Sequence, residues 1–385
     1  MDPTSFTTNA PGRLVPTVDG HRAFVPAPLP PSIEFAPELV DRLAYAAAAV
    51  GLLAGTARNI SNPLLLIAPY LRREAVLSSR IEGTVSTLAD LYEDEAIGPM
   101  NIGDDKDVRE VRNYLDAHEH GLERLEDLPL SLRLLREVHE KLMQGVRGEG
   151  RHPGEFRSYQ NWIAPTARAP IAEATYVPPP VPEMIEALNE LERFLHSEAF
   201  HPLLIAGLAH YQFEAIHPFG DGNGRVGRLM ISLFLHERRL MPQPLLNLSA
   251  YLERTRLEYY ERLMRVSTHG DWSGWLLYFL DGVGTEAEAA VKDAERLLDL
   301  QTTYHLRLGS TRTAAHQLID QLFINPVVNT NRAVRVLGVT APTARAAIAE
   351  LVRQEILIEV SGRKWGRRFL AQEILDVVEP GTGGP

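Results

Sequence analysis

Over most of the chain, apolar residues recur every three or four positions, the interval that places them on one face of a helix. That spacing predicts helices over residues 38–57, 64–82, 108–125, 130–146, 181–195, 203–216, 229–240, 252–267 and 272–300. Residues 59–63, Asn-Ile-Ser-Asn-Pro, divide the first two, and Gly83 supplies the stop after the second. A loop rich in Gly, Asp and Pro comes next at 98–107. Two stretches lack the helical rhythm. Pro3, Pro11, Pro16, Pro26, Pro28, Pro30, Pro31 and Pro37 leave residues 1–37 without periodicity, so an extended arm lying over the surface is expected. Between 148 and 180, Gly150, Pro153, Gly154, Pro165, Pro170 and Pro178 to Pro180 break any helix, while 155–163 suits a short strand in a hairpin-like excursion.

After residue 305 the pattern shortens. Helices are predicted over 315–323, 331–337 and 341–354, with Gly338-Val339-Thr340 as a tight turn between the last two, which is helix-turn-helix spacing. Strand, turn and strand over 356–360, 361–367 and 368–370 then read as a wing. The expected fold is mainly α: an N-terminal arm and helical region (1–115), a helical core with a short β-hairpin flap (116–305), a C-terminal winged helix-turn-helix domain (306–378) and a flexible tail (379–385).

Composition narrows the function. With 45% hydrophobic and 23% charged residues the chain is an ordinary globular one, and with no cysteine it has neither disulfides nor a zinc-thiolate site. The most apolar run, 43–57, is bounded by Arg42 and Arg58 and is shorter than the roughly 20 residues that span a bilayer, so a buried helix is expected and no membrane partner. The N-terminus lacks the basic cluster and apolar core of a secretory signal, and a cytoplasmic location is the resulting expectation. A net charge of −11 speaks against a uniformly nucleic-acid-binding surface. The 326–370 stretch is the exception: Arg332, Arg335, Arg345, Arg353, Arg363, Lys364, Arg367 and Arg368 outnumber Glu350, Glu355 and Glu359. His118-Glu119-His120 and His139-Glu140 lack the His-Glu-x-x-His spacing of a zinc helix and are expected to be exposed, and no P-loop motif occurs.

The chemistry concentrates in 217–228, His-Pro-Phe-Gly-Asp-Gly-Asn-Gly-Arg-Val-Gly-Arg, lying between two apolar helices. Gly222 and Gly224 allow φ > 0 and let the backbone curl its N–H groups toward one point, where the next helix directs the positive end of its dipole, so a phosphate is the first candidate ligand. A neutral imidazole at His217 suits the removal of a hydroxyl proton within about 3 Å. Asp221 is a hard oxygen ligand of the kind that holds Mg²⁺ together with substrate phosphates. Arg225 and Arg228 are three apart on one helix face and could clamp outer phosphates, while Phe219 reads as a core anchor.

This dozen resembles the signature of the Fic family, His-Pro-Phe-x-(Asp/Glu)-Gly-Asn-Gly-Arg-x-x-Arg, at every fixed position. The resemblance implies a helical Fic core that transfers AMP from ATP to a hydroxyl of a protein target, the chain itself included, with pyrophosphate leaving. It makes His217 the base, Asp221 the Mg²⁺ ligand, Asn223 with Gly222 and Gly224 the anion hole, and Arg225 and Arg228 the phosphate clamps. Gly154-Glu155-Phe156-Arg157 with Asn161-Trp162-Ile163 looks like the family's target-positioning flap, and 176–180 like the proline run after it. Tyr259 and Tyr260 fall where the family builds its base pocket, although adjacent aromatics on a helix are more often core.

Ser78-Ser79-Arg80-Ile81-Glu82-Gly83 fits a second family pattern, (Ser/Thr)-x-x-x-Glu-(Gly/Asn), that of the inhibitory helix of self-restrained members. Glu82 sits at a helix C-terminus, where the dipole disfavours a carboxylate and an external cation is needed, and Ser78 lies one turn earlier on the same face. The resemblance pairs Glu82 with Arg228, leaving ATP an unproductive pose; a second implied role for Glu82 is orienting water to remove AMP. Two rival functions remain open. One is a DNA-binding transcriptional regulator that uses the winged helix with the Fic portion as sensor. The other is phosphoryl or phosphocholine transfer, which the intact Gly224 and Arg225 disfavour. A homodimer is compatible with the sequence.

Overall fold

A computed structural model describes residues 1–58, 64–97, 106–166, 169–309, 313–362 and 366–379. The expected break at 59–63, most of the 98–107 loop, Arg363, Lys364 and the tail beyond 379 lie outside the described residues.

The first strands, β1 (Gly12–Pro16) and β2 (Arg22–Pro26), pair antiparallel with Leu14 opposite Phe24. Helices α1 (Pro37–Arg58), α2 (Leu64–Ile81), α3 (Leu88–Ile97), α4 (Lys106–Arg124) and α5 (Leu132–Leu142) come next. After an irregular stretch come α6 (Val181–Leu195), α7 (Pro202–Ile216), α8 (Asn223–Glu237), α9 (Leu248–Arg254), α10 (Arg256–His269) and the long α11 (Trp272–Leu308). The chain closes with α12 (Ala314–Ile324), β3 (Val327–Val328), α13 (Thr330–Leu337), α14 (Ala341–Arg353), β4 (Ile358–Glu359), β5 (Phe369–Leu370) and α15 (Gln372–Val378).

The architecture is mainly helical, and α7 is its axis. Nearly every residue of α7 is buried, as expected of a helix that is apolar all round, and it packs against α6, α8 and α11. Trp275 of α11 donates its indole N–H to the Gly207 carbonyl at 2.9 Å, where the missing side chain of Gly207 lets α11 approach closely. Helix α1 lies along α11, and α2 is packed by α4, α9 and α12. The 43–57 run lies within α1 but is not buried all round as expected: one face, with Ala46, Ala49, Val50, Leu53 and Ala57, is in the core, while Leu52 is 58% exposed.

Several expectations need correction. Residues 1–37 are not a loose arm. Phe24 is buried against Phe6 and Tyr176, and its N–H bonds the Val177 carbonyl at 2.9 Å. The prolines conceal this ladder because Pro16 and Pro26 stand at the strand ends, where a missing donor is tolerated. The 148–180 excursion is not a β-hairpin: Ile163 and Tyr176 form a lone antiparallel bridge. Side chains replace the ladder, since Arg157 donates to the carbonyls of Tyr159, Pro179 and His217, and Gln160 to that of Pro178.

Helix α8 begins at Asn223 rather than 229, so half of the 217–228 motif is helical. The 252–267 prediction is two helices broken at Thr255, whose hydroxyl bonds the Tyr251 carbonyl. At the C-terminus, β3 and α15 have no counterpart in the sequence expectation. The sheet runs β3-β5-β4, antiparallel throughout, with Val327 and Ile358 both facing Leu370. The boundary at 305/306 falls inside α11, and α12 packs on both α2 and α11. Asn325 bonds the Tyr92 carbonyl and Arg368 pairs with Glu93 at 2.5 Å, so the C-terminal elements share the core of the helical body.

Candidate active site

The site is assembled where α7 ends and α8 begins. His217 caps α7 in the left-handed region, at φ 49°, a conformation that costs a non-glycine residue energy and persists only when its surroundings hold it. Its carbonyl accepts from Arg157 Nε at 3.1 Å and Asn161 Nδ2 at 3.4 Å, and the Arg157 N–H bonds the Pro218 carbonyl at 2.9 Å. Burial, with the Arg157 charge second, lowers the His217 imidazole to about 4, so the ring is neutral at neutral pH.

The turn itself is clipped from within. Asn223 accepts the Phe219 N–H at 2.8 Å and donates to the Phe219 carbonyl at 3.0 Å, using both ends of its amide. The side chain expected in an anion hole is therefore spent on holding the turn, and the anion-facing groups are the N–H groups of the first turn of α8, which have no intrahelical acceptor. Gly222 precedes them at φ 77°, and a Cβ there would strike Met143 Sδ. Phe219 is fully buried, as expected of a core anchor, and stacks on the His139 ring with centroids 3.8 Å apart.

His139 corrects a sequence expectation: it is 1% exposed. Its Nδ1 accepts from the Gly154 N–H at 2.8 Å, so Nε2 carries the proton and donates to the Asp221 carbonyl at 3.1 Å. One ring thus joins the turn to the start of the flap, and burial lowers it to about 4, keeping it neutral. His118 is also buried, its Nε2 bonded to Ser232 at 2.8 Å. A closer reading of spacing would have found His139, because Leu135, Val138, His139 and Leu142 form one helix stripe.

Asp221 keeps a 40% exposed side chain at the mouth, with Oδ1 accepting the Gly222 N–H at 2.7 Å. Arg225 is nearly inaccessible; its NH1 donates to Glu110 at 3.3 Å and its NH2 to Met143 Sδ at 3.6 Å. Arg228 is enclosed by the C-terminal end of α2 and by Glu82: Nε donates to Ser78 Oγ at 2.8 Å, NH2 to the Ser78 carbonyl at 2.9 Å and NH2 to Glu82 Oε1 at 2.8 Å. Glu82 stands one residue past α2, with Gly83 at φ 96° turning the chain away. Burial pushes the Glu82 carboxyl up, but Arg228, then Arg225 and His217, outweigh it and hold it below its ordinary value. A Cβ on Gly224 would collide with Glu82 Oε1, so the bare glycine is what admits this carboxylate to the N-terminus of α8. Glu82 occupies the place of an anion.

Of the flap residues, Phe156 packs on Phe219, Arg157 is buried, and Asn161 also donates to the Phe219 carbonyl at 3.0 Å; these three hold the motif. Trp162 and Ile163 face outward, 40% and 39% exposed. Tyr259 is a core residue, its hydroxyl bonded to His210 Nε2 at 2.8 Å, whereas Tyr260 is exposed and lies close enough to Glu82 and Arg228 to feel their charges. Glu214, which the sequence does not single out, places a buried Oε1 without a hydrogen-bond partner among the described residues. Among the described residues no group of three His, Cys, Asp or Glu could hold a metal ion.

Among the described residues part of the C-terminal basic patch is paired or buried, while Arg335 and Arg345 stay exposed. Arg332 is buried, Arg353 pairs with Glu350, Arg367 with Glu359 at 3.5 Å and Arg368 with Glu93. The charge available to a DNA backbone is correspondingly smaller than the sequence count suggests.

Comparison with known proteins agrees with this geometry. The model of the Fic/DOC family N-terminal region matches residues 40–123, and that of the Fic/DOC family matches residues 129–235. The protein adenylyltransferase Fic of Aedes aegypti is 30% identical over 156 residues, which are 40% of this chain and 27% of that protein. The chain thus spans less than a third of the length of the curated relatives it matches. A Fic family protein from Desulfovibrio desulfuricans G20 superposes with a TM-score of 0.60 at 22% identity, covering 93% of this chain and all of that one. A Fic domain containing signalling protein from Bacteroides thetaiotaomicron gives 0.52 at 17% identity, over 65% of this chain and 97% of that one. At these identities the two structures speak for the fold alone. Through residues 40–123 and 129–235, which carry the clipped turn and the helix that closes over it, the chain belongs to the Fic/DOC family.

Proposed function

We propose that the chain transfers AMP from ATP to a hydroxyl side chain of a protein and that Glu82 restrains this activity. The observation that carries the reading is the seat of Glu82: its carboxylate lies against Gly224 and on Arg228, where the outer phosphates of a nucleotide would otherwise meet α8. In the reaction, His217 takes the proton of the attacking hydroxyl, its oxygen bonds the α-phosphorus, and the bond to the bridging oxygen breaks to release pyrophosphate. The N–H groups at the start of α8 and the two arginines stabilise negative charge on the phosphates. A triphosphate beside His217 would also raise its pKa toward neutrality, strengthening the base when substrate is bound.

Asp221 suits Mg²⁺, because a single, partly exposed hard carboxylate is what that ion takes when substrate phosphates and water complete its shell. Bound there, it would neutralise phosphate charge. The Aedes aegypti relative is called a protein adenylyltransferase, which supports the same reaction class.

The test is incubation of purified variants with labelled ATP and Mg²⁺. Glu82→Gly is expected to label itself or added proteins well above the unmodified chain, and His217→Ala to abolish labelling in that background. Labelling by Glu82→Gly no stronger than by the unmodified chain would remove the restraint, and labelling that survives His217→Ala would remove the base.

A further inference from the structure

We propose that Glu110 of α4 is the positioning residue for Arg225, and that through Thr84 it ties Arg225 to the same segment that carries Glu82. The proposal rests on the AMP-transfer reading in one respect: Arg225 is taken to hold the outer phosphates of ATP.

A guanidinium offers five N–H donors and stays in one orientation when those donors have acceptors. Arg225 is 1% exposed, so bulk water has almost no access to them. Within hydrogen-bonding distance its partners are Glu110 Oε2, on NH1, and the weakly accepting Met143 Sδ, on NH2; Nε has none among the described residues. Asp221 Oδ1 is farther, at 3.9 Å. Glu110 therefore supplies the charge that fixes the guanidinium. A buried ion pair of this kind is costly to break from either side, which keeps Arg225 aimed while the phosphate site is empty.

Glu110 is itself held. It is 3% exposed, and the Oε2 that accepts from Arg225 also accepts Thr84 Oγ1 at 2.9 Å. Arg147 lies 3.9 Å from the other oxygen and donates NH2 to the Glu82 carbonyl at 3.3 Å. Thr84 is two residues beyond Glu82. The two motif arginines are thus governed by one stretch of chain, Arg228 by Glu82 directly and Arg225 by Glu110 through Thr84. The first contact must break for ATP to bind productively. The second remains and orients the clamp.

The experiment compares the full chain carrying Glu82→Gly with the double variant Glu82→Gly/Glu110→Gln, titrating each by calorimetry with ATP plus Mg²⁺ and separately with AMP. Loss of one charge-assisted contact is expected to weaken ATP about tenfold. AMP, which lacks the outer phosphates, is expected to bind both variants alike. Equal losses for ATP and AMP would make Glu110 merely structural, and unchanged or tighter ATP binding would make it no positioning group; either overturns the proposal. Should the Gln variant not fold, Thr84→Val in the same background is expected to show a smaller ATP-selective loss, and no such selectivity overturns it as well. A Glu82→Gly chain that binds ATP yet labels no protein would sink the transfer reaction while leaving the ATP and AMP comparison readable.

Discussion

At the scale of single residues, the site is governed by how charge is shared around Arg228. Burial opposes its charged form, yet Glu82 more than compensates and holds its pKa above the ordinary arginine value. Glu214 stands beside it without competing, because burial raises that carboxyl to about 8 and keeps it protonated at neutral pH. Its neutrality leaves Glu82 as the anion on Arg228. The linkage has a definite sign: a carboxyl protonated in the fold contributes stability below its unfolded value, near 4.5, and that stability is lost as pH rises toward 8. The stability of Glu214→Gln relative to the unmodified chain is therefore expected to rise between pH 5 and pH 8, measured as the difference in urea midpoint. An identical shift in both would show that Glu214 is ionised in the fold.

At the scale of elements, α2 acts as a docked rod whose inner face carries its polar contacts at one-turn intervals. Glu74 accepts from the Ser249 N–H at 3.1 Å and the Tyr114 hydroxyl at 3.4 Å, Ser78 receives Arg228 twice, and Glu82 receives it once more. Ser78→Ala removes the side-chain contact to Arg228 Nε while leaving Glu82 and the Ser78 carbonyl in place. AMP incorporation is expected to fall between that of the unmodified chain and that of Glu82→Gly, the lost contact being worth about 1.5–3 kcal/mol as a hydrogen bond to a charged group. Incorporation no higher than in the unmodified chain would locate the restraint in Glu82 alone. The N-terminal hairpin plays a comparable supporting part: Phe24 packs on Tyr176, whose hydroxyl bonds the Ala215 carbonyl at 2.8 Å, two residues before His217.

At the scale of the whole molecule, three buried histidines and the half-buried His217 set the acid limit. Burial lowers His118, His139 and His217 to about 4 and His210 to about 3, in the last case with help from Arg228. Each is held neutral in the fold, so below about 6.5 the unfolded chain binds protons that the fold refuses. Stability is expected to fall continuously as pH drops from 6.5 toward 4, read as the urea midpoint across that range. A midpoint flat over this interval would show that these rings are solvated or charged in the fold.

Local pattern alone carries much of this. The helical period places most helices within a few residues, because a buried stripe repeats wherever a helix packs on a core. The motif identifies the turn residues, since Gly222 can take the φ of 77° that the turn needs, although Gly224, expected to do the same, lies inside α8 without a positive φ. Apart from the Glu82–Arg228 pairing that the family pattern implies, long-range partners are not legible. Spacing can put His139 on a buried stripe, but Glu214 looks ordinary in sequence; what sets the charge state of both is desolvation by elements distant along the chain. Asn223 reads as an anion ligand, yet its side chain bonds a backbone four residues away. The flap reads as a hairpin because its composition excludes helix, but side-chain bonds to carbonyls take the place of a ladder. Local pattern is enough to name the residue types that line the α7–α8 turn and to show that an anion would suit it. The resemblance to the inhibitory-helix pattern pairs Glu82 with Arg228, but the contact itself, at 2.8 Å, is set by the tertiary structure, because that distance depends on how α2 docks.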